Sequence, residues 1–145
     1  MTAGKKPLLI LAITIATLAT TGCICCNISE NVNAIKQAVT NRNAERCDKM
    51  EDPLRCACYT SVAISTENLE ICNKIDEEDM RIGCYISMAV EKEDAEICDK
   101  IKNPDARNTC ITQTAERTKN PELCNKITQP TRRGECLMGA NESNQ

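Results

Sequence analysis

Cys25, Cys26 and Cys56 stand outside the regular spacing that governs most of the cysteines in this chain, and by residue type they are the groups best able to do chemistry. An adjacent thiol pair can bind a soft ion such as Cu(I), or cycle between dithiol and disulfide. The same three residues also resolve into one more disulfide and one odd thiol. With Cys23 set aside for the lipid considered below, eleven of the twelve cysteines remain. At least one then lacks a partner in its own chain, and a disulfide-linked dimer becomes available. The 145 residues contain no His, which removes His-based triads, mixed Cys/His zinc sites and c-type haem attachment. No convergent acid, base and nucleophile set stands out. The expectation is a protein that is not an enzyme and carries no cofactor or metal, with thiol-redox or soft-metal binding at Cys25, Cys26 and Cys56 as the alternative.

Two periodic sets of cations are the other candidates. Arg55, Arg81, Arg107 and Arg133 could line a groove for an anionic ligand, or could be satisfied structurally by a Glu or a helix C-terminus within each unit. Lys49, Lys74, Lys100 and Lys126 fall where a helix ends, a position that favours cations whether or not anything binds them.

Both sets follow from an internal repeat of 26 residues. Its first half reads NAERCDKM from Asn43, NLEICNKI from Asn68, DAEICDKI from Asp94 and NPELCNKI from Asn120. Its second half carries an arginine, a cysteine three residues on (Cys58, Cys84, Cys110, Cys136), and then Tyr59, Tyr85, Ile111 or Leu137. A one-residue deletion between Cys47 and Arg55 is the only slip. Asn43, Asn68, Asp94 and Asn120 are good N-caps, and the Glu two positions later complements the helix dipole. The first half therefore predicts a helix of about two turns, with its Cys and the apolar residues around it facing inward. The second half predicts a helix of about three to four turns starting near Pro53, Pro104 and Pro130, with Ala63, Ala89 and Ala115 on its buried face. Thr114 and Glu116 depart from this pattern, because the other second helices are more apolar there. Helices this short are not stable alone, so the unit must be a hairpin stacked on its neighbours, as in a small α-solenoid.

Tyr59 and Tyr85 are the only aromatic residues, so staples must replace an aromatic core. Two pairings of the regular cysteines compete. One stays within a repeat and joins Cys47 to Cys58, Cys72 to Cys84, Cys98 to Cys110 and Cys124 to Cys136. The other crosses repeats, joining Cys58 to Cys72 onward, and strands Cys47 and Cys136. The within-repeat pairing is the one expected, because it uses all eight cysteines and each closed loop is worth roughly 3 kcal/mol in the chain-entropy estimate.

The amino terminus reads as an export leader. Lys5 and Lys6 precede an apolar run from Leu8 to Ala19, and Thr20, Thr21 and Gly22 lead to Cys23. The stretch resembles a lipoprotein signal, which implies cleavage after Gly22 and lipid on Cys23. A plain cleaved signal and a retained anchor are the other two readings. In each of them the rest of the chain faces outward, into an oxidising compartment. Without Lys5 and Lys6 the 18 basic residues fall to 16 against 21 acidic ones, a balance of −5, and the cations are evenly spread. Nucleic acid and a polybasic membrane patch are thereby disfavoured.

Residues 43–140 resemble the short cysteine-bearing helical-hairpin repeats of uncharacterised secreted proteins and lipoproteins of archaea and bacteria. The resemblance implies fold and compartment, and no activity or ligand. The organisation expected is a signal peptide over 1–22, a tether and helical segment over 23–42, four repeats over 43–140 and a tail over 141–145. The role expected is a binding or structural module on the outer face of the cytoplasmic membrane, held by an N-terminal lipid or anchor, its partner an unknown extracytoplasmic protein or polymer.

Overall fold

A computed structural model describes residues 29–142, all of whose regular structure is helical. Helix α1 covers 29–40. Four hairpins follow, each a six-residue 3₁₀ helix and then an α-helix: η1 (Ala44–Lys49) and α2 (Leu54–Thr66), η2 (Leu69–Lys74) and α3 (Glu78–Glu91), η3 (Ala95–Lys100) and α4 (Pro104–Thr118), η4 (Pro121–Lys126) and α5 (Pro130–Glu142). Each 3₁₀ helix packs on the α-helix of its own hairpin, η2, η3 and η4 also pack on the α-helix before, and successive α-helices pack side by side. The result is a one-dimensional stack of hairpins.

The first half of each repeat is a 3₁₀ helix, a form that its apolar residues at every third position suit. Three residues per turn bring i, i+3 and i+6 into one line, and Leu69, Cys72 and Ile75, or Ala95, Cys98 and Ile101, form such lines. The start is held by the cap, since the Asn43, Asn68, Asp94 and Asn120 side chains accept from the backbone N–H of Glu45, Glu70, Glu96 and Glu122 at 2.9–3.1 Å. At the other end the N–H of Met50, Ile75, Ile101 and Ile127 donates to the cysteine carbonyl three residues back at 3.0–3.1 Å.

Helices α1 to α4 stop on a shared device. Arg42, Glu67, Glu93 and Lys119 have φ between 51° and 56°, and each immediately precedes the cap of the next 3₁₀ helix. The cap's own N–H then donates back to the carbonyl of Ala38, Ala63, Ala89 or Ala115 at 2.9–3.0 Å. These are Schellman turns without glycine, in which a left-handed residue reverses the chain and the bond five residues back closes the helix end. The alanine in each is 0% exposed, so no larger side chain fits between this turn and the stack. Ala38, Arg42 and Asn43 repeat the geometry of Ala63, Glu67 and Asn68, which makes α1 the second helix of an incomplete unit ahead of the first hairpin. Arg46 Nη1 donates to Gln37 Oε1 at 2.8 Å and ties α1 to η1.

Four sulfur pairs lie at bonding distance, Cys47–Cys58, Cys72–Cys84, Cys98–Cys110 and Cys124–Cys136, with Cα atoms 5.6–5.7 Å apart. All join a 3₁₀ helix to the α-helix of the same repeat. The eight cysteines are at most 1% exposed and form the spine of the core, flanked by Ile75, Ile101, Ile111, Ile127, Val62 and Met88. The apolar set is too small to offset chain entropy without the bonds. Full reduction should therefore abolish the far-ultraviolet helical signal, and non-reducing peptide maps should recover Cys72 linked to Cys84. Helicity that survives reduction would show that packing alone holds the stack.

Candidate functional site

The arginines occupy equivalent places at the start of each α-helix, all half-buried, but their partners differ. Arg81 Nη1 donates to the carbonyls of Ile75 at 2.6 Å and Asp76 at 3.0 Å, and Arg133 Nε donates to that of Ile127 at 2.9 Å. Each thereby caps the C-terminal end of its own 3₁₀ helix, where unpaired carbonyls concentrate negative charge. Arg55 lies across the one-residue deletion and instead pairs with Asp52 at 2.7 Å. Arg107 makes no side-chain hydrogen bond or ion pair among the described residues. The four arginines are therefore not one uniform anion-binding row.

The lysines are exposed and lie in the last turn of each 3₁₀ helix. Two of them reach the preceding repeat: Lys74 Nζ sits 6.0 Å from the centre of the Tyr59 ring, and Lys126 Nζ is 3.9 Å from Asp99. Such exposed contacts contribute little, and they occupy two of the four cations.

The tyrosines carry a bond that sequence reasoning missed. Tyr59 donates to Asp48, and Tyr85 donates to Asn73 Oδ1 at 2.5 Å, so each hydroxyl crosses from the α-helix to the residue after the 3₁₀ cysteine. The signal was present: the residue after that cysteine is Asp or Asn in every repeat, and a tyrosine follows the second cysteine in the first two. Burial, reinforced by Asp48, raises Tyr59 from 10.0 to about 12, and burial also raises Tyr85.

Cys56 is the thiol outside the ladder that the structure describes, while Cys23, Cys25 and Cys26 lie outside the described residues. It is 7% exposed, and its Sγ donates to Asp52 Oδ1 at 3.1 Å. Burial first, and the Asp52 carboxylate second, push this thiol up, the opposite of what a redox or metal-binding cysteine needs. In turn the Cys56 hydrogen bond, aided by Arg55, holds Asp52 below the usual carboxylate range. Among the described residues no group of three or more Cys, Asp or Glu side chains is placed to hold a metal ion.

A cleft of about 340 Å3 opens between α4 and α5, lined from α4 by Asp105, Asn108, Thr112 and Glu116 and from α5 by Arg132 and Glu135. Of these, sequence reasoning singled out Glu116 alone. Its other flagged residue, Thr114, is fully buried and donates to the Cys110 carbonyl at 2.9 Å, a structural use. Comparison with protein-family models, curated proteins and solved structures yields no match.

Two outcomes follow from this geometry. Arg81→Ala removes a cap on two carbonyls and should cost about 1–2 kcal/mol in denaturant unfolding, whereas Arg107→Ala should cost less than about 0.5 kcal/mol. Equal losses would mean that the arginine stems, and not the capped carbonyls, carry the effect. Because the folded Tyr59 value lies above the unfolded one, its stabilisation is complete below pH 10 and is lost as the pH rises toward 12. In a Tyr85→Phe protein the phenolate absorbance should therefore appear above pH 10, with unfolding becoming easier over the same window; ionisation at the free value would show that the buried hydroxyl is not held by Asp48.

Proposed function

We propose that this chain is a non-enzymatic helical-repeat protein tethered on the outer side of the cytoplasmic membrane, where it serves as a binding or structural module. The observation that carries the reading is the stack itself: four hairpins, each closed by a buried cysteine pair, present one continuous lateral surface. A stack that depends on disulfides belongs in an oxidising compartment, which agrees with the export leader read from residues 1–22. The ladder residues support a scaffold role more than a catalytic one, because Arg81, Arg133 and both tyrosines bridge the two arms of their hairpins. The alternative of thiol or metal chemistry loses support at Cys56, whose thiol is buried and held protonated. No helix among the described residues is long and apolar enough to cross a membrane. The tether would be supplied by lipid on Cys23 or by the retained leader.

Intact mass before and after alkylation of the exported protein tests the reading. The expected result is a mature chain that begins at Cys23 with added lipid, and a Cys56 that reacts only after denaturation. Cys23→Ser should release the protein from membranes or block its processing. Unchanged membrane retention together with an unchanged, lipid-free mass would overturn the lipid tether, and rapid native alkylation of Cys56 would restore the thiol alternative.

A further inference from the structure

The cleft between α4 and α5 is lined by a helical strip that is polar at all three positions in α4 alone, the equivalents being Cys56, Thr60 and Ile64 in α2 and Gly134, Met138 and Glu142 in α5. In register, the α4 positions Asn108, Thr112 and Glu116 correspond to Ile82, Ile86 and Val90 of α3. Those three are partly buried apolar residues, and Ile82 and Ile86 pack against the core. A strip spaced four residues apart lies along one face of a helix. On α4 that face has become an amide, a hydroxyl and a carboxylate, and it lines the cleft against α5. Folding does not require the change, since α3 is built from the same repeat with the apolar version.

Asn108 is the decisive residue. It is 8% exposed, and its carboxamide has no hydrogen-bond partner among the described residues, although it opens into the cleft. No fully buried side-chain N or O atom among the described residues lacks a partner, so the Asn108 amide tip meets solvent in the cleft and is open to whatever enters it. Around it the charge is unbalanced: Asp105, Glu116 and Glu135 face a single guanidinium, Arg132, which is already paired with Glu135 at 3.3 Å. Asp105 and Glu116 make no ion pair among the described residues. They sit near opposite ends of α4, separated by about 16 Å of helix rise, with Asn108 and Thr112 between them.

We propose that this cleft binds a linear polyamine: a terminal ammonium group at Asp105, another at Glu116, and an inner ammonium over the Asn108 carboxamide oxygen and the Thr112 hydroxyl. Carboxylates at both ends with neutral acceptors between them suit an extended cation. A metal ion would need a convergent set of carboxylates, and none is found among the described residues. The inference rests on the binding-module reading and names a ligand for it.

Calorimetric titration of the exported chain with spermidine at physiological ionic strength tests the site. One saturable site is expected, with no binding of an uncharged diol of similar length. Asn108→Ile and Glu116→Val, which install the residues of α3, should each weaken binding at least tenfold while the helical signal and the disulfide map stay as in the parent. Asp105→Asn, a change at an exposed position, should also weaken it, which keeps the test decisive if an interface variant fails to fold. Asp79→Asn, in the acidic run that begins α3, should have no effect. Absence of saturable spermidine binding, retained affinity in the cleft variants, or equal weakening by Asp79→Asn would each overturn the proposal. A chain that leaves the membrane on Cys23→Ser but ignores spermidine would keep the tethered-module reading and lose only this ligand.

Discussion

The bond between each 3₁₀ helix and the α-helix that follows it, as between Cys72 and Cys84, is the interaction on which the rest of the structure depends. Six residues in a 3₁₀ helix cannot persist unaided, and an α-helix of 13–15 residues is marginal in water. The cross-link restricts the unfolded chain, so that the small gain from burying Leu69, Ile75 or Met88 is enough to order a hairpin. It also lets the chain dispense with Phe and Trp, because the sulfur pair itself fills the centre of each unit.

Packing along the stack complements this bond. η2 is covalently tied to α3 and also packs on α2, and η3 and η4 sit in the same way between their neighbours. Covalent bonds within hairpins thus alternate with apolar contacts between them. The Schellman turns at Arg42, Glu67, Glu93 and Lys119 fix the step from one hairpin to the next. Non-glycine residues tolerate the left-handed conformation there because the bond to the buried alanine carbonyl closes the turn. A solenoid with a constant step needs the same turn at every junction, and this one has it.

Where the side chains of this scaffold are engaged, they mostly hold neighbouring elements together. Arg81 and Arg133 cap 3₁₀ helices, Tyr59 and Tyr85 bridge hairpin arms, and Lys92 reaches Glu67 at 2.7 Å between the ends of α3 and α2. Against that background the polar face of α4 stands apart. Its strip is polar at all three positions, where α3 carries Ile82, Ile86 and Val90 and the other repeats mix apolar and polar residues.

The repeat length, the helical class of both halves, their caps and the buried alanines were legible in the residues alone, since caps and apolar spacing act over a few positions. The eight cysteines and their favoured within-repeat pairing were legible too, since only that pairing uses all eight, although spacing alone does not state which sulfur lies opposite which. Only the tertiary structure decided several points. The arms cross so that Cys72 meets Cys84; the first half is 3₁₀, which the three-residue spacing permitted but did not demand; Arg81 reaches carbonyls where Arg107 reaches nothing comparable. The face of α4 that meets α5 became visible in the same way. A helical strip such as Asn108, Thr112 and Glu116 has meaning only once the neighbouring helix is in place, and that placement is set by packing between repeats, beyond the reach of any local pattern.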